Sequence, residues 1–137
     1  MRIEFLFALA VIGCGGPAYD PALLIAERAP TGADDCGQVD GWGHTPPAPA
    51  RACVVAALAA PRAFHVLIDA AVADGRIAVG FASDGAAALF RLDYHAVYPA
   101  IGSTDEDVAW TECSSIDDLG AACSSLNRDL CFDCTAR

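Results

Sequence analysis

The sequence predicts an α+β domain, one helix packed on an antiparallel β-meander of about four strands and stapled by disulfides. Three observations carry that reading. Asp74-Gly75 and Asp84-Gly85 fall between runs of alternating apolar residues, a strong short-range hairpin signal. The hydrophobic period shortens from helical to alternating after Pro61, so a helix hands over to strands there. Six cysteines follow position 35, an even set that reads as three disulfides with 15 possible pairings.

Each element has its own warrant. Pro21 to Arg28 can make a short helix, which Pro30 and Gly32 would end. Gly37 to Pro49 is turn-rich, with Gly41, Gly43, Pro46 and Pro47, and His44 within it is assigned no role. A helix is expected from Ala48 to Ala60, where Pro61 stops it. Its small face would be Cys53, Ala56, Ala57 and Ala60, at helical spacing and suited to close packing on a sheet. Phe64, Val66 and Ile68 alternate in the first run, then Ile77, Val79 and Phe81, then Phe90, Leu92 and Tyr94. Val108 and Trp110 make a fourth run. The nine residues of the first three runs, with Trp110, are the ten expected core residues beneath the helix. From Ser114 the tail is polar and cysteine-bearing, with one helical turn expected around Ile116 to Ala122.

Composition narrows the function classes. The chain has 137 residues, room for one ordinary domain. Its 55% hydrophobic content excludes a disordered tail, although 29 of those residues are alanine, which buries little. Lysine is absent and the net charge is −10, so no basic surface exists to neutralise phosphates and a nucleic-acid partner is excluded. Seven cysteines point to an oxidising compartment.

The N-terminus carries the compartment reading. Phe5 to Ile12 is an unbroken apolar run after a short n-region containing Arg2 and Glu4. It suits a signal peptide and falls far short of the roughly 20 residues of a membrane span. The run closes in Val11-Ile12-Gly13-Cys14, which resembles a bacterial lipobox. That resemblance implies a lipoprotein signal peptide over residues 1–13, cleavage after Gly13, and a diacylglyceryl thioether and acyl (palmitate-type) modification at Cys14. It also implies an envelope location, with Gly15 favouring the outer membrane. The competing readings are an ordinary signal peptide cut after Ala18 and a buried N-terminal segment. Setting Cys14 aside leaves the even six: Cys36, Cys53, Cys113, Cys123, Cys131 and Cys134. Residues 14–35, rich in Gly, Pro, Ala and Asp, read as a flexible tether, and residues 36–137 as the folded domain. The cysteine-bearing helix, the apolar meander and the terminal cysteines resemble small cysteine-containing lipoproteins of unknown function from GC-rich Gram-negative bacteria. That likeness brings no activity with it.

Within the domain, Cys36–Cys53 is the expected bridge between the start of the fold and the helix, with further bridges among Cys113, Cys123, Cys131 and Cys134. Cys131-Phe132-Asp133-Cys134 is a CxxC, but no helix follows it to activate a thiol. The tail cysteines also lack the paired knuckles of a zinc ribbon. Alternation puts His65 and Asp69 on one strand face, and Arg91, Asp93 and His95 on another, both opposite the apolar residues. If those strands were neighbours, the five would converge on the sheet's outer face. His65, Asp69, Asp93 and His95 would then form the candidate divalent-metal or acid–base set; the alternative is a solvated face with Arg91 paired to an aspartate. Ser103 to Asp107 reads as a solvated acidic loop that lacks the spacing of an EF-hand. No nucleophile motif or phosphate-binding loop is present.

The expected function is therefore a membrane-anchored envelope lipoprotein acting as a binding or structural module, without catalytic activity or cofactor. Its expected partners are the membrane, through Cys14, and a protein of the envelope. The alternatives are a periplasmic metal-binding protein or enzyme using the outer sheet face, and an inhibitor or immunity-like protein capping a basic partner.

Overall fold

The computed structural model describes residues 19–42, 47–98, 105–119 and 131–137. Positions 1–18, with the expected signal peptide and Cys14, lie outside the described residues, as do His44, Ser103, Thr104 and Cys123. The elements are α1 (Pro21–Arg28), β1 (Asp34–Asp40), α2 (Ala48–Ala59), β2 (Ala63–Val72), β3 (Gly75–Asp84), β4 (Leu89–Val97), β5 (Asp105–Asp118) and β6 (Phe132–Ala136). They build a mixed α+β fold around one six-stranded sheet in the order β1-β2-β3-β4-β5-β6.

From β2 to β6 the sheet is an antiparallel meander, and β1 joins β2 in parallel. Helix α2 makes the crossover that a parallel pair requires. Both hairpin turns fall where the Asp-Gly steps sit. At the first, Val72 faces Gly75, and a Cβ on Gly75 would come within 1.9 Å of the Ala96 carbonyl oxygen, so only glycine fits beside β4. At the second, the Asp84 carboxylate accepts the backbone N–H groups of Ala86, Ala87 and Ala88. Those bonds favour the charged form and hold the Asp84 carboxyl below its ordinary pKa.

Six strands stand where about four were expected, and both additions hide from a periodicity argument. In β1 the register shifts between Asp35 and Gln38, so its buried residues, Cys36 and Val39, are three apart rather than two. In β6 only Phe132 is buried. Its ring meets Phe81 edge-on, with centroids 6.1 Å apart. The expected helical turn is not found over Ile116–Asp118, which belong to β5. Asp105, Glu106 and Asp107, read as part of an acidic loop, also belong to β5.

The larger revision concerns the faces. Helix α2 packs over Phe64, Val66, Phe81 and Phe132 through Ala50, Val54 and Ala57. That stripe differs from the expected one, since Ala56 and Ala60 are exposed. Helix α1 covers the opposite face, where Ile25 packs with Leu67, Ala78, Ala82, Leu92 and Tyr94. The segment read as a tether is thus partly built into the fold. Asp20 accepts the Ala22 N–H as the N-cap, Pro21 fits the first turn, and Ile25 is buried.

The ten expected core residues consequently divide. Phe64, Val66, Ile68, Val79 and Phe81 pack in the α2 cluster, whereas Leu92, Tyr94 and Trp110 pack with α1. Phe90 and Trp110 remain partly exposed under Arg28, whose guanidinium carbon lies 5.2 and 4.4 Å from their rings. Ile77 is only partly buried. Two disulfides staple the α2 side. Cys36 is bonded to Cys53, the pairing expected from the sequence, and Cys113 to Cys134. Cys131 is disulfide-bonded as well.

Candidate binding face

Register decides where the expected polar set goes. Leu67 pairs with Gly80, Gly80 with Leu92, and Leu92 with Trp110, and paired residues share a face. His65 and Asp69 therefore stand on the α1 side. Val66 pairs with Phe81, and Phe81 with Arg91, which puts Arg91, Asp93 and His95 on the α2 side. The five residues do not converge: β3 separates β2 from β4, and the sets occupy opposite faces. The conditional convergence fails because it gave β4 the apolar phase of β2, and Arg91 instead pairs with an aspartate, Asp93, as the alternative reading had it. A shift of one residue reverses every side chain.

Each set is instead engaged locally. Asp69 takes two hydrogen bonds from Arg76, at 2.8 and 2.5 Å, and a third from the Gln38 side-chain amide at 2.7 Å. Arg76 also reaches Asp20 at 3.6 Å. This chain joins α1, β1, β2 and β3. Above all, the Asp69 hydrogen bond raises the Arg76 pKa above its ordinary value. His65 Nδ1 lies 3.7 Å from Asp35. On the other face Arg91 donates to Asp93 at 2.9 to 3.1 Å. Among the described residues, no group of three or more His, Cys, Asp and Glu side chains is placed to hold a metal ion.

The α2 face has a second half toward the β2–β3 turn that no described helix covers. Ile68, Ala70, Val72, Ile77 and Val79 line a shallow apolar pocket there with Gly41 and Trp42. A neighbouring hollow of ≈ 220 Å³ runs from Ile77 and Val79 to Asp93, His95, Asp107 and Ala109. His95 and Asp107 face each other across β4 and β5, and both are exposed. The result is an aliphatic strip with an acidic and imidazole border.

Trp42 anchors the corner of that strip. Its side chain is 49% exposed, yet it is held in place. Its indole N–H donates to the Ala71 carbonyl at 2.7 Å, and its backbone N–H donates to Asp40 at 2.9 Å. The preceding Gly41 N–H donates to the Asp69 carbonyl. A Cβ on Gly41 would stand 2.8 Å from the Ala70 Cβ, so the close approach that seats Trp42 needs glycine. Sequence reading missed this residue. The available signal was a lone tryptophan between two glycines in a polar stretch, a place where no core demands an aromatic.

Chemically, this face offers apolar contact, carboxylate acceptors and an imidazole. Among the described residues it presents no nucleophile beside a base. No protein-family model matches the chain, and no curated protein or solved structure matches it either.

Proposed function

We propose that the protein is an exported lipoprotein anchored through Cys14, placed in the outer membrane, and working there as a binding module rather than an enzyme. The observation that carries the binding part is Trp42, a half-exposed aromatic pinned by its own hydrogen bonds above an aliphatic strip. An aromatic fixed before binding loses little entropy when a partner covers it, which is how interface anchors gain affinity. The fitting partner is an envelope protein segment with aliphatic side chains and basic groups, because Asp93 and Asp107 border the strip in a chain of net charge −10. The same complementarity supports the reading as an inhibitor that caps a basic partner. Export is supported by the disulfides, which form and persist in oxidising compartments.

The test uses protein extracted from membranes. Intact mass should show the lipid on the mature chain beginning at Cys14, and Cys14→Ser should abolish that mass and release the protein. A photo-crosslinker at Ile77 should then capture one discrete envelope protein, and Trp42→Ala should lose it. An unlipidated mass in the native protein would sink the anchoring reading. Equal capture from a crosslinker at Val55, on the exposed side of α2, would sink the assignment of the face.

A further inference from the structure

We propose that the end of the sheet carrying Tyr19, Trp42 and Tyr98 rests on the bilayer that holds the lipid of Cys14, which makes it a second, non-covalent membrane contact. The inference rests on the anchoring reading above and adds an orientation to it: the outer edge of Trp42 meets lipid, while the strip of Ile68, Ile77 and Val79 that the same side chain walls off stays open to the protein partner.

The first argument is chain length. Tyr19 is fixed to the domain: its backbone N–H donates to Glu106 at 3.4 Å, and its carbonyl oxygen lies 3.4 Å from the Tyr94 hydroxyl. Asp20 caps α1 and reaches Arg76. Tyr19 follows Cys14 by only five positions, so the chain between them spans at most about 18 Å even when fully extended. A free tether running to position 35 would let the domain float in any orientation. A chain docked from Tyr19 onward does not.

The second argument is which end is held. Tyr19 meets Glu106, whose register partner is Ala96, itself the partner of Arg76. That row adjoins the β2–β3 turn. The Tyr98 N–H donates to the Asp74 carbonyl in the same turn at 2.7 Å. Trp42 follows the end of β1, which runs parallel to β2 toward it. One end of the sheet thus carries Tyr19, 51% exposed, Trp42, 49%, and Tyr98 and Val97, each 37%. They are four of the seven large apolar side chains exposed among the described residues, and three are tyrosine or tryptophan. Those residues favour a bilayer interface because each has an apolar body and a polar tip. Ala86, exposed in the β3–β4 turn, lies at the other end, the length of β3 away, about 30 Å at strand rise. The exposed Asp20, Asp74 and Asp105 share the tethered end, so the contact suits zwitterionic lipid and is weakened by anionic lipid.

The test uses the full lipidated chain in phosphatidylcholine vesicles whose acyl chains are brominated near the headgroup. Flotation reads anchoring, and tryptophan quenching reads orientation. We expect the wild type to float and lose part of its emission, Trp42→Phe to float without that loss, and added phosphatidylglycerol to reduce the loss. Ala86→Trp, made on the Trp42→Phe background, should float unquenched. Flotation with no Trp42-dependent quenching, or equal quenching of the Ala86→Trp probe, overturns the orientation while leaving the anchor intact. Protein that carries no lipid and does not float overturns the anchoring reading and this inference with it.

Discussion

Ile25 of α1 sits directly on Gly80 of β3: a Cβ built on that glycine would lie 2.9 Å from both Cγ1 and Cδ1 of the isoleucine. The absence of a side chain at the centre of the sheet is what lets a short helix come close enough to bury Ile25 to 1% exposure. Ala78 and Ala82 flank Gly80 on the same face, so β3 offers α1 a floor of small residues. Eight residues are too few for a stable helix in isolation, and α1 therefore depends on this seat.

Ile25→Ala should destabilise the domain by about 2–4 kcal/mol through lost burial and an incompletely closed cavity. Gly80→Ala should also destabilise, by pushing α1 outward. The two effects should not add, because the smaller residue at 25 makes room for the methyl group at 80. Urea unfolding of the two single variants and the double variant measures the coupling; strict additivity would show that α1 is not seated on Gly80.

The disulfides make an independent prediction. Cys36–Cys53 and Cys113–Cys134 close loops of 17 and 21 residues by sequence separation. In the chain-entropy model each restrains the unfolded chain by about 3 kcal/mol. Replacing Cys36 and Cys53 together by alanine should lower stability by roughly that amount. Peptide mapping without reduction should recover both pairs, and a Cys36 thiol free in the exported protein would contradict the first bridge.

What could be read from the sequence divides along physical lines. The hairpins were legible because Asp-Gly steps and alternation are local signals. The face each strand presents was not, because both faces of this sheet are partly buried and alternation gives the period without the phase. Ala78, Gly80 and Ala82 look like an outer face left small and are the floor for a second helix. The shift in β1 broke the period that would have announced it, and Trp42 belongs to no periodic run, so only its isolation between two glycines could have marked it. The polar candidates were identified correctly as strand residues, but their convergence depended on register, which no local signal supplies.

Alkaline pH should expose the buried tyrosine. Tyr94 is 1% exposed and donates to Glu106 at 2.8 Å. Burial first, and the neighbouring carboxylate second, raise its pKa well above the ordinary 10.0. A raised folded-state pKa means that the unfolded chain gives up its proton first. The stabilisation is complete below the ordinary tyrosine range and declines as pH rises through and above it. Stability should therefore fall above about pH 10, and Tyr94→Phe should flatten that decline. Absorbance titration of tyrosinate should lose its most alkaline component in Tyr94→Phe; loss of a component near the ordinary value of about 10 instead would place Tyr94 in water.

The two aspartates once expected to share a site should behave differently. The Asp69 side chain is 13% exposed and takes bonds from Arg76 and Gln38, so Asp69→Ala leaves a partly buried guanidinium without its main partner. That should cost about 1–3 kcal/mol. The Asp93 side chain is 43% exposed and pairs with Arg91 on its own strand, where solvent screens the pair. Asp93→Ala should cost less than about 1 kcal/mol, and His95→Ala, at an exposed position, about 0.5 kcal/mol or less. Because the sheet separates His65 and Asp69 from Asp93 and His95, added zinc should leave the melting temperature of the wild type unchanged, as a ligand that binds no folded site must. A zinc-dependent rise that disappears in His95→Ala would instead put a metal on the α2 face, with Asp93 or Asp107 as its nearest carboxylate.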